Sequence, residues 1–291
     1  MTLRGLSLLA LIPCLLWCGG CGSSSSGGAT PGNGGNGQPL GPTTSSGCGA
    51  AATPSGKSGD TRSLQVDGTT RSYLRFIPSG YDSSRTYPVV IVFHGMGSSG
   101  QQMANYISMQ TYSAGNAIVV FPNGLGGNWD MTGDTDLLFV DAMLADLQGS
   151  LCTNPSRTFA LGFSMGAYMA NHLGCQRSAT IRAIAAADGG FLDHPSACGK
   201  TAALIYHRTN DDNEVIANGQ NARDNWLSIN GCASTSTPFL ADGFASLGCV
   251  QYDGCPSATP VLWCEDTFTN GNDHDLRDIY RVPIWNWFDA F

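Results

Sequence analysis

Five short, almost continuously apolar runs lie between residues 88 and 206, and stretches of mixed polarity separate them. Runs of this length are typical of strands that are buried on both faces of a parallel sheet. They span residues 88–93, 117–121, 158–161, 181–186 and 203–206. Residues 136–151 and 165–175 lie between the runs and are compatible with helices. Because strands and helices alternate, the pattern predicts an α/β fold with a mostly parallel central sheet and helices on both faces.

The pattern is different before the first of these runs. Residues 63–66 and 71–76 alternate between apolar and polar side chains on either side of Asp67-Gly68. A period of two is typical of half-buried strands, and an Asp-Gly pair favours a tight turn between two antiparallel strands. These residues are therefore predicted to form an opening β-hairpin.

The first 47 residues differ in composition from the rest of the chain. Residues 6–17 form an apolar run that is too short to span a bilayer, so residues 1–20 are predicted to be a signal peptide. Residues 21–47 are rich in Gly, Ser, Asn and Pro and are predicted to be a flexible linker. Residues 48–291 are predicted to form one domain. The protein is therefore expected to be exported, either to the medium or to the surface of the cell envelope.

The cysteines favour export and a membrane tether. Of the 11 cysteines, two lie in the predicted signal peptide, which leaves nine. Cys21 follows in a segment that resembles a bacterial lipoprotein signal, and its lipidation would leave an even number for disulfides. Cys21 is therefore the predicted lipidation site, through which a membrane would hold the protein.

The remaining eight cysteines are predicted to form four disulfides. Residues 249–252 and 261–264 are β-like runs on either side of a turn that contains Gly and Pro, so a hairpin would set their two cysteines opposite each other. Cys152 lies before the predicted strand at residues 158–161, and Cys175 lies at the end of the predicted helix that follows this strand, so the two could meet. The predicted pairs, the last by elimination, are Cys249 with Cys264, Cys152 with Cys175, Cys232 with Cys255 and Cys48 with Cys198.

Charge and residue spacing exclude two classes of partner. The net charge is −8 and the only lysines are Lys57 and Lys200, so the chain has no basic face for a nucleic acid. Several aspartates surround His274, but no His-x-x-x-His or zinc-like cysteine spacing is present. We therefore predict no nucleic-acid partner, no metal and no cofactor.

A candidate nucleophile lies between a predicted strand and a predicted helix, in the pentapeptide Gly162-Phe-Ser164-Met-Gly166. This context is typical of a nucleophile elbow, in which a tight turn exposes a serine hydroxyl at the edge of a sheet. A serine needs a histidine base and a carboxylate that orients the base. In α/β hydrolases the acid and then the histidine follow the serine along the chain. That order leaves His274 as the only candidate base among the five histidines.

The acid and the oxyanion donors follow from the ends of the predicted strands. Asp211 lies in the loop after residues 203–206 and is the predicted acid, with the adjacent Asp212 as a local alternative and Asp188 as a weaker one. The amide of Met165, directly after the serine, is one predicted oxyanion donor. The amide of Met96, in the loop after residues 88–93, is the other.

Three further residues are assigned to the surroundings of the site. His94 is predicted to hold the loop that contains Met96 by hydrogen bonds, or else to contact the substrate. Trp129 and Trp263 are predicted to stack on an aromatic acyl group or on a sugar ring.

The ordered motifs in combination resemble the esterase family that includes the feruloyl esterases of carbohydrate esterase family 1 and the polyhydroxybutyrate depolymerases. The resemblance runs from residue 47 to residue 291 and includes His94-Gly-Met-Gly97, Phe121-Pro-Asn-Gly124, the Ser164 pentapeptide and the closing Ile284-Trp-Asn-Trp-Phe288. It implies an α/β-hydrolase fold, the triad Ser164, Asp211 and His274, and an oxyanion hole of the Met96 and Met165 amides. Two places differ from the family pattern. Arg208 occupies the place of the glycine in the usual His-Gly-x-x-Asp motif, and residues 275–278 after His274 read Asp-Leu-Arg-Asp, where relatives often carry apolar or proline-containing residues.

Three functions fit this sequence. The first is an exported serine carboxylesterase that releases feruloyl or acetyl groups from plant cell-wall polysaccharide. The second is a depolymerase of a polyester such as polyhydroxybutyrate. The third is a non-catalytic polymer-binding relative, which the intact serine, acid and histidine disfavour. In each case the predicted partner is a polysaccharide or a polyester, and the protein is predicted to be a monomer.

Overall fold

A ten-stranded sheet runs through the part of the chain that this computed structural model describes, residues 42–56, 58–269, 271 and 273–291. Its strands are β1 (Asp60–Val66), β2 (Thr69–Phe76), β3 (Tyr87–Phe93), β4 (Ile118–Pro122), β5 (Thr153–Phe163), β6 (Ala183–Ala187), β7 (Ala202–Arg208), β8 (Ser236–Pro238), β9 (Val250–Tyr252) and β10 (Val261–Asp266). The α-helices in these ranges are α1 (Gly100–Ile107), α2 (Met109–Tyr112), α3 (Thr135–Ser150), α4 (Met165–Gln176), α5 (Ile216–Asn230) and α6 (Arg281–Asp289), and two short 3-10 helices span Pro195–Ala197 and Asp278–Tyr280. The predicted signal peptide and Cys21 lie outside the described residues. A search of the described residues for a helix with the length and apolarity needed to cross a membrane finds none.

The strands lie in the order β1-β2-β4-β3-β5-β6-β7-β10-β9-β8. The pairs from β4 to β10 are parallel, and the strands at both edges are antiparallel. The predicted hairpin around Asp67-Gly68 is confirmed as β1 and β2. The predicted α/β fold is also confirmed, because the central strands are parallel and helices cover both faces.

The core consists of two layers, one on each face of the sheet. Alternate residues of β3 point into different layers: Val89 and Ile91 pack with α3, α4 and α5, whereas Val90 and Val92 pack with α1 and α6. Every residue of β3 is buried, as expected of a central parallel strand. The carboxyl ends of β3 to β7 and of β10 therefore lie on one edge of the sheet, where the loops after them meet.

Two of the four predicted disulfides are confirmed and two are wrong. Cys232 pairs with Cys255, and Cys249 pairs with Cys264 across the β9–β10 hairpin. The other four cysteines exchange partners relative to the prediction, because the bonds are Cys48–Cys152 and Cys175–Cys198.

Backbone contacts explain the exchanged partners. The Gly47 amide donates to the Gln148 carbonyl (2.8 Å) and the Ser45 hydroxyl donates to the Leu151 carbonyl (2.7 Å), which brings Cys48 to the start of β5. Ser45 is buried, so the chain packs on the sheet's helices before residue 48, where the domain was predicted to begin. The Gly199 amide likewise donates to the Cys175 carbonyl (3.1 Å) and sets the neighbouring Cys198 beside Cys175.

Removing the Cys48–Cys152 bond is expected to destabilise the protein more than removing the Cys232–Cys255 bond. The first spans a sequence separation of 104 residues and the second one of 23, and a cross-link restricts the unfolded chain more when it closes a longer loop. Replacing both cysteines of a pair by serine should lower the free energy of unfolding by about 4 to 5 kcal/mol for the first and about 3 kcal/mol for the second. Urea denaturation of the two double variants tests this order, and equal losses would contradict it.

Candidate active site

Ser164 lies in a strained turn between β5 and α4. Its φ is 58° and its ψ is −127°, a conformation that is unfavourable for a residue with a side chain and is typical of a nucleophile elbow. The Ser164 amide donates to the Ala187 carbonyl (2.9 Å), which holds the turn against the end of β6. A Cβ atom on Gly162 would lie 1.9 Å from the Gly166 carbonyl oxygen, so the first glycine of the pentapeptide is required for the turn to close.

Asp211 and His274 form a hydrogen bond across two loops of the same sheet edge. Asp211 follows β7, His274 follows β10, and the distance between Asp211 Oδ2 and His274 Nδ1 is 2.6 Å. The Asp211 side chain is fully buried, and its Oδ1 accepts the backbone amides of Asn213 (2.8 Å) and Glu214 (2.9 Å). A carboxylate that accepts from Nδ1 fixes the ring and leaves Nε2 able to accept a proton, which is the arrangement a serine requires of its base.

Ser164 and His274 line one open cleft with a volume of about 290 Å³. The rest of its lining comes from the loop after β3, from α1 and from the end of β5. These lining residues are Gly95, Met96, Ser98, Gln102, Met103, Tyr106 and Phe163. The Phe163 ring packs on the His274 ring with a centroid distance of 4.7 Å. Gln102, Met103 and Tyr106 were not among the predicted site residues, because the sequence pattern does not predict α1.

The loop after β3 passes directly over the serine. A Cβ atom on Gly95 would lie 3.3 Å from the Ser164 Cβ, so the next residue, Met96, follows at close range. Met165 is the first residue of α4, where backbone amides have no partner within the helix. The two predicted oxyanion donors thus belong to the two segments that meet at Ser164.

His94 and Trp129 hold this loop from beneath. His94 is buried, its Nε2 accepts the Gly124 amide (3.0 Å), and its Nδ1 therefore donates to the Gly95 carbonyl (2.7 Å). The Trp129 indole donates to the His94 carbonyl (2.7 Å). Burial lowers the pKa of His94, which favours the neutral ring that this pattern requires.

Of the two roles predicted for His94, the structure shows the hydrogen bonds that hold the loop, and it does not place the His94, Trp129 or Trp263 side chain at the cleft. All three side chains are buried, and none lines the cleft. Trp263 lies within β10, donates to Glu265 (3.3 Å) and packs under the Arg223 guanidinium. The indoles are buried because they fill the core on one face of the sheet.

The alternative acids occupy different environments. Asp212 is exposed, whereas Asp188 is buried at the end of β6 and accepts the Arg208 amide (2.8 Å). Burial raises the pKa of Asp188 well above its usual range. Asp188, Asp211 and His274 each place one ligand-type atom within 4.8 Å of the others. This set does not suit a cation, because His274 Nδ1 already donates to Asp211 and Asp188 favours its neutral form.

His172, on the buried side of α4, connects this helix to two loops. Its Nδ1 lies 2.9 Å from the Asp193 carboxylate, and its Nε2 lies 2.9 Å from the Gly133 carbonyl. Both partners can only accept, so both ring nitrogens carry a hydrogen. Burial opposes this charge, but the hydrogen bonds to Asp193 and Gly133 outweigh it and raise the pKa of His172.

We expect His172 to stabilise the fold at acidic pH and to lose this effect as the pH rises. Its folded-state pKa is above the ordinary value of about 6.5, so the contribution is complete below that pH and disappears as the pH passes the raised value. Thermal unfolding from pH 5 to 9 should show the largest difference in Tm between wild type and His172→Gln at the acid end. The exposed His194, changed in the same way, is the matched control. A difference that is constant with pH would contradict the assignment.

The comparisons with known proteins identify relatives among esterases. No protein-family model matches the chain. It is 31% identical to feruloyl esterase C of Emericella nidulans over 201 residues, 66% of this chain and 73% of that protein. It is 28% identical to feruloyl esterase D of Neurospora crassa over 247 residues, 79% and 82% of the two chains. Among solved structures, the acetyl xylan esterase from Aspergillus awamori superimposes with a TM-score of 0.57 at 14% identity, over 79% of this chain and 100% of that one, which shows the α/β-hydrolase fold.

Proposed function

Because the chain belongs to the feruloyl esterase family and is a carboxylic ester hydrolase, we propose that it is an exported serine carboxylesterase that releases feruloyl or acetyl groups from plant cell-wall polysaccharide. In this proposal Ser164 is the nucleophile, His274 the base and Asp211 the acid. The relatives named for feruloyl ester and acetyl xylan hydrolysis support this substrate class.

The observation that carries the proposal is the 2.6 Å hydrogen bond between Asp211 and His274 beside the cleft that Ser164 lines. These three residues come from three separate loops, 47 to 110 positions apart in the chain. A protein that only kept the fold would not need a buried carboxylate, an oriented imidazole and a serine at an open cleft on one edge of the sheet. Together they supply the groups for acyl transfer.

The reaction proceeds in two displacements. His274 Nε2 takes the Ser164 proton while Oγ attacks the ester carbonyl, and the oxyanion that forms accepts from the Met96 and Met165 amides. The imidazolium then gives its proton to the departing alkoxide, and the acyl group stays on Ser164. Water next donates a proton to His274 as it attacks the acyl-enzyme, and Ser164 recovers its proton when the carboxylic acid leaves.

The cleft suits an aromatic acyl group. Met103, Tyr106 and Phe163 provide apolar and ring surfaces, and Ser98 and Gln102 provide polar groups at its rim. Aromatic rings pack well on such surfaces, and hydroxyl substituents need polar partners. The same cleft is large enough for the smaller acetyl group, and rates on feruloyl and acetyl esters would distinguish the two substrates.

Four disulfides among the described residues favour an oxidising compartment outside the cytoplasm. We extend the proposal to a monomer that acts at the cell envelope or in the medium, with lipidated Cys21 as a tether to the membrane. The long Gly/Ser-rich linker would give the domain reach toward an insoluble substrate.

A second candidate function, polyester depolymerisation, is favoured by exposed apolar side chains at the sheet edge that carries Ser164. Met96 is 72% exposed, and further large apolar side chains are exposed in the loops after β4, β6, β7 and β10. These side chains are Leu125, Leu192, Val215 and Phe268. An apolar rim of this kind suits adsorption to a water-insoluble polymer.

A fluorophosphonate probe tests the proposed nucleophile. The probe phosphonylates activated serines, so we expect it to modify the Ser164 peptide in a mass-spectrometric map, and methyl ferulate to slow this modification by competition. Modification elsewhere would refute the assignment of Ser164. Modification of Ser164 that no ferulate or acetate ester slows would refute the proposed substrate class.

A further inference from the structure

Arg208 is a fully buried cation beside the proposed acid. It is the last residue of β7, and its side chain has no exposed surface. Its amide donates to Asp188 Oδ1 (2.8 Å), so the backbone of Arg208 is fixed against the end of β6. A buried guanidinium is costly unless carboxylates and carbonyls surround it, so its partners indicate what it does.

The partners of Arg208 flank His274. Its Nη2 donates to Asp273 Oδ1 (2.8 Å) and to the Phe268 carbonyl, and its Nη1 lies 3.9 Å from Asp275 Oδ2. Asp273 and Asp275 are the residues immediately before and after His274. One planar guanidinium thus contacts both chain neighbours of the proposed base.

We propose that Arg208 is a positioning residue, which sets the orientation of His274 and offsets the negative charge of the residues on either side of it by binding Asp273 and Asp275. This inference rests on the proposed function, since it assumes that His274 is the base. The planar fork of an arginine, unlike the single ammonium of a lysine, can satisfy two carboxylates at once.

Other contacts also hold the His274 loop in place. We therefore expect the loss of Arg208 to change the orientation of His274 rather than to release the whole loop. The Tyr106 hydroxyl donates to Asp275 Oδ1 (2.6 Å) and accepts the Leu276 amide (2.8 Å). The Tyr206 hydroxyl lies 3.1 Å from the Asp275 carbonyl. Without Arg208 the loop would still be anchored on one side, but the side before His274 would lose its charged partner.

The charges around His274 determine the direction in which removing Arg208 would change the pH dependence of ester hydrolysis. Asp211 after β7 and Asp188 after β6 lie close to the base, and Asp273 and Asp275, which contact Arg208, are its chain neighbours. Arg208 and His207 are the neighbouring basic side chains on β7. Removing the Arg208 charge would leave the flanking carboxylates without their counter-ion, and they would stabilise the imidazolium form of His274. A protonated His274 cannot accept the serine proton.

The test compares Arg208→Gln with Arg277→Gln. Arg277 is a matched control because it also forms an ion pair with a buried aspartate, Asp266 (3.0 Å), which does not flank His274. For p-nitrophenyl acetate at 25 °C we expect Arg208→Gln to lower kcat by about 10- to 100-fold with little change in KM. The acid limb of its pH–rate profile should move up by about one pH unit. Arg277→Gln should leave the profile unchanged.

Additional variants keep the test decisive. Adding Asp273→Asn to Arg208→Gln removes one of the two flanking negative charges and should move the acid limb back toward the wild-type pH. An acid limb of Arg208→Gln that stays at the wild-type pH, or a kcat no lower than that of Arg277→Gln, overturns the proposal. If Arg208→Gln does not fold, Arg208→Lys is measured instead, and a wild-type kcat overturns the proposal. Failure of the proposed function would be distinct, because the wild-type protein itself would then not hydrolyse the ester.

Discussion

Replacing Ser164 with alanine is expected to lower kcat for ester hydrolysis by about 10⁴- to 10⁶-fold. In the proposed mechanism the base and the acid act only through the nucleophile, so the other groups cannot compensate for its loss. The variant should remain folded, since alanine is smaller than serine and the turn is held by the Ser164 amide rather than by its hydroxyl. Hydrolysis of p-nitrophenyl acetate measures the rate, and circular dichroism checks the fold.

The matched control for this variant is Ser196→Ala, which removes a hydroxyl from an exposed serine remote in sequence from the pentapeptide. It should retain the full rate. If Ser164→Ala kept more than about one per cent of the wild-type kcat, Ser164 would not be the nucleophile.

Replacing Asp211 with asparagine is expected to lower kcat by about 10³- to 10⁴-fold while the fold is retained. Asparagine is nearly the same size, and its carbonyl oxygen can accept the Asn213 and Glu214 amides as Asp211 Oδ1 does. Its amide group would then face His274 Nδ1 as a donor, which favours the wrong tautomer of the ring.

The neighbouring carboxylate provides the control for Asp211. Asp212 is exposed, and Asp212→Asn has nearly the same effect on net charge, so it should keep kcat within about twofold of wild type. If Asp212→Asn lowered kcat as much as Asp211→Asn does, the negative charge of the loop, and not the hydrogen bond to His274, would account for the loss of activity.

The sequence predicts the part of the site that depends on local pattern and chain order. The Ser164 pentapeptide sits between a strand and a helix, and only one histidine follows a suitable acid. The predicted Asp211 and His274 do hydrogen-bond to each other. Chain order is sufficient to bring these two residues together because the carboxyl ends of parallel strands meet at one edge wherever the strands lie in the sheet.

Residues that depend on tertiary packing could not be predicted in this way. Helix α1 has only eight residues and four buried positions, so its apolar pattern is too short to identify, and Tyr106 was missed with it. Helix α5 buries Gly219, Ala222 and Asn230 beside a single large apolar side chain, Trp226, so its buried face gives only a weak hydrophobic signal. The contact of Arg208 with Asp273 depends on the parallel pairing of β7 with β10, which no local pattern specifies.

The same limit explains the wrong disulfides and the unpredicted burial of the tryptophans. The Cys249–Cys264 pair follows from a local hairpin, whereas the Cys48–Cys152 pair depends on a segment that returns across 104 residues. Trp129 and Trp263 are aromatic residues near functional motifs in the sequence, but both rings fill the core. Proximity to a motif along the chain does not determine whether a side chain faces the cleft or the core.

The most direct test of the central claim is hydrolysis of methyl ferulate, acetylated xylan and amorphous polyhydroxybutyrate by the purified protein, side by side with Ser164→Ala. We predict release of ferulate or acetate by the wild-type protein and none above background by the variant. Release of hydroxybutyrate alone would contradict the cell-wall esterase assignment and identify a polyester depolymerase. Equal release by wild type and variant would contradict the proposed serine mechanism itself.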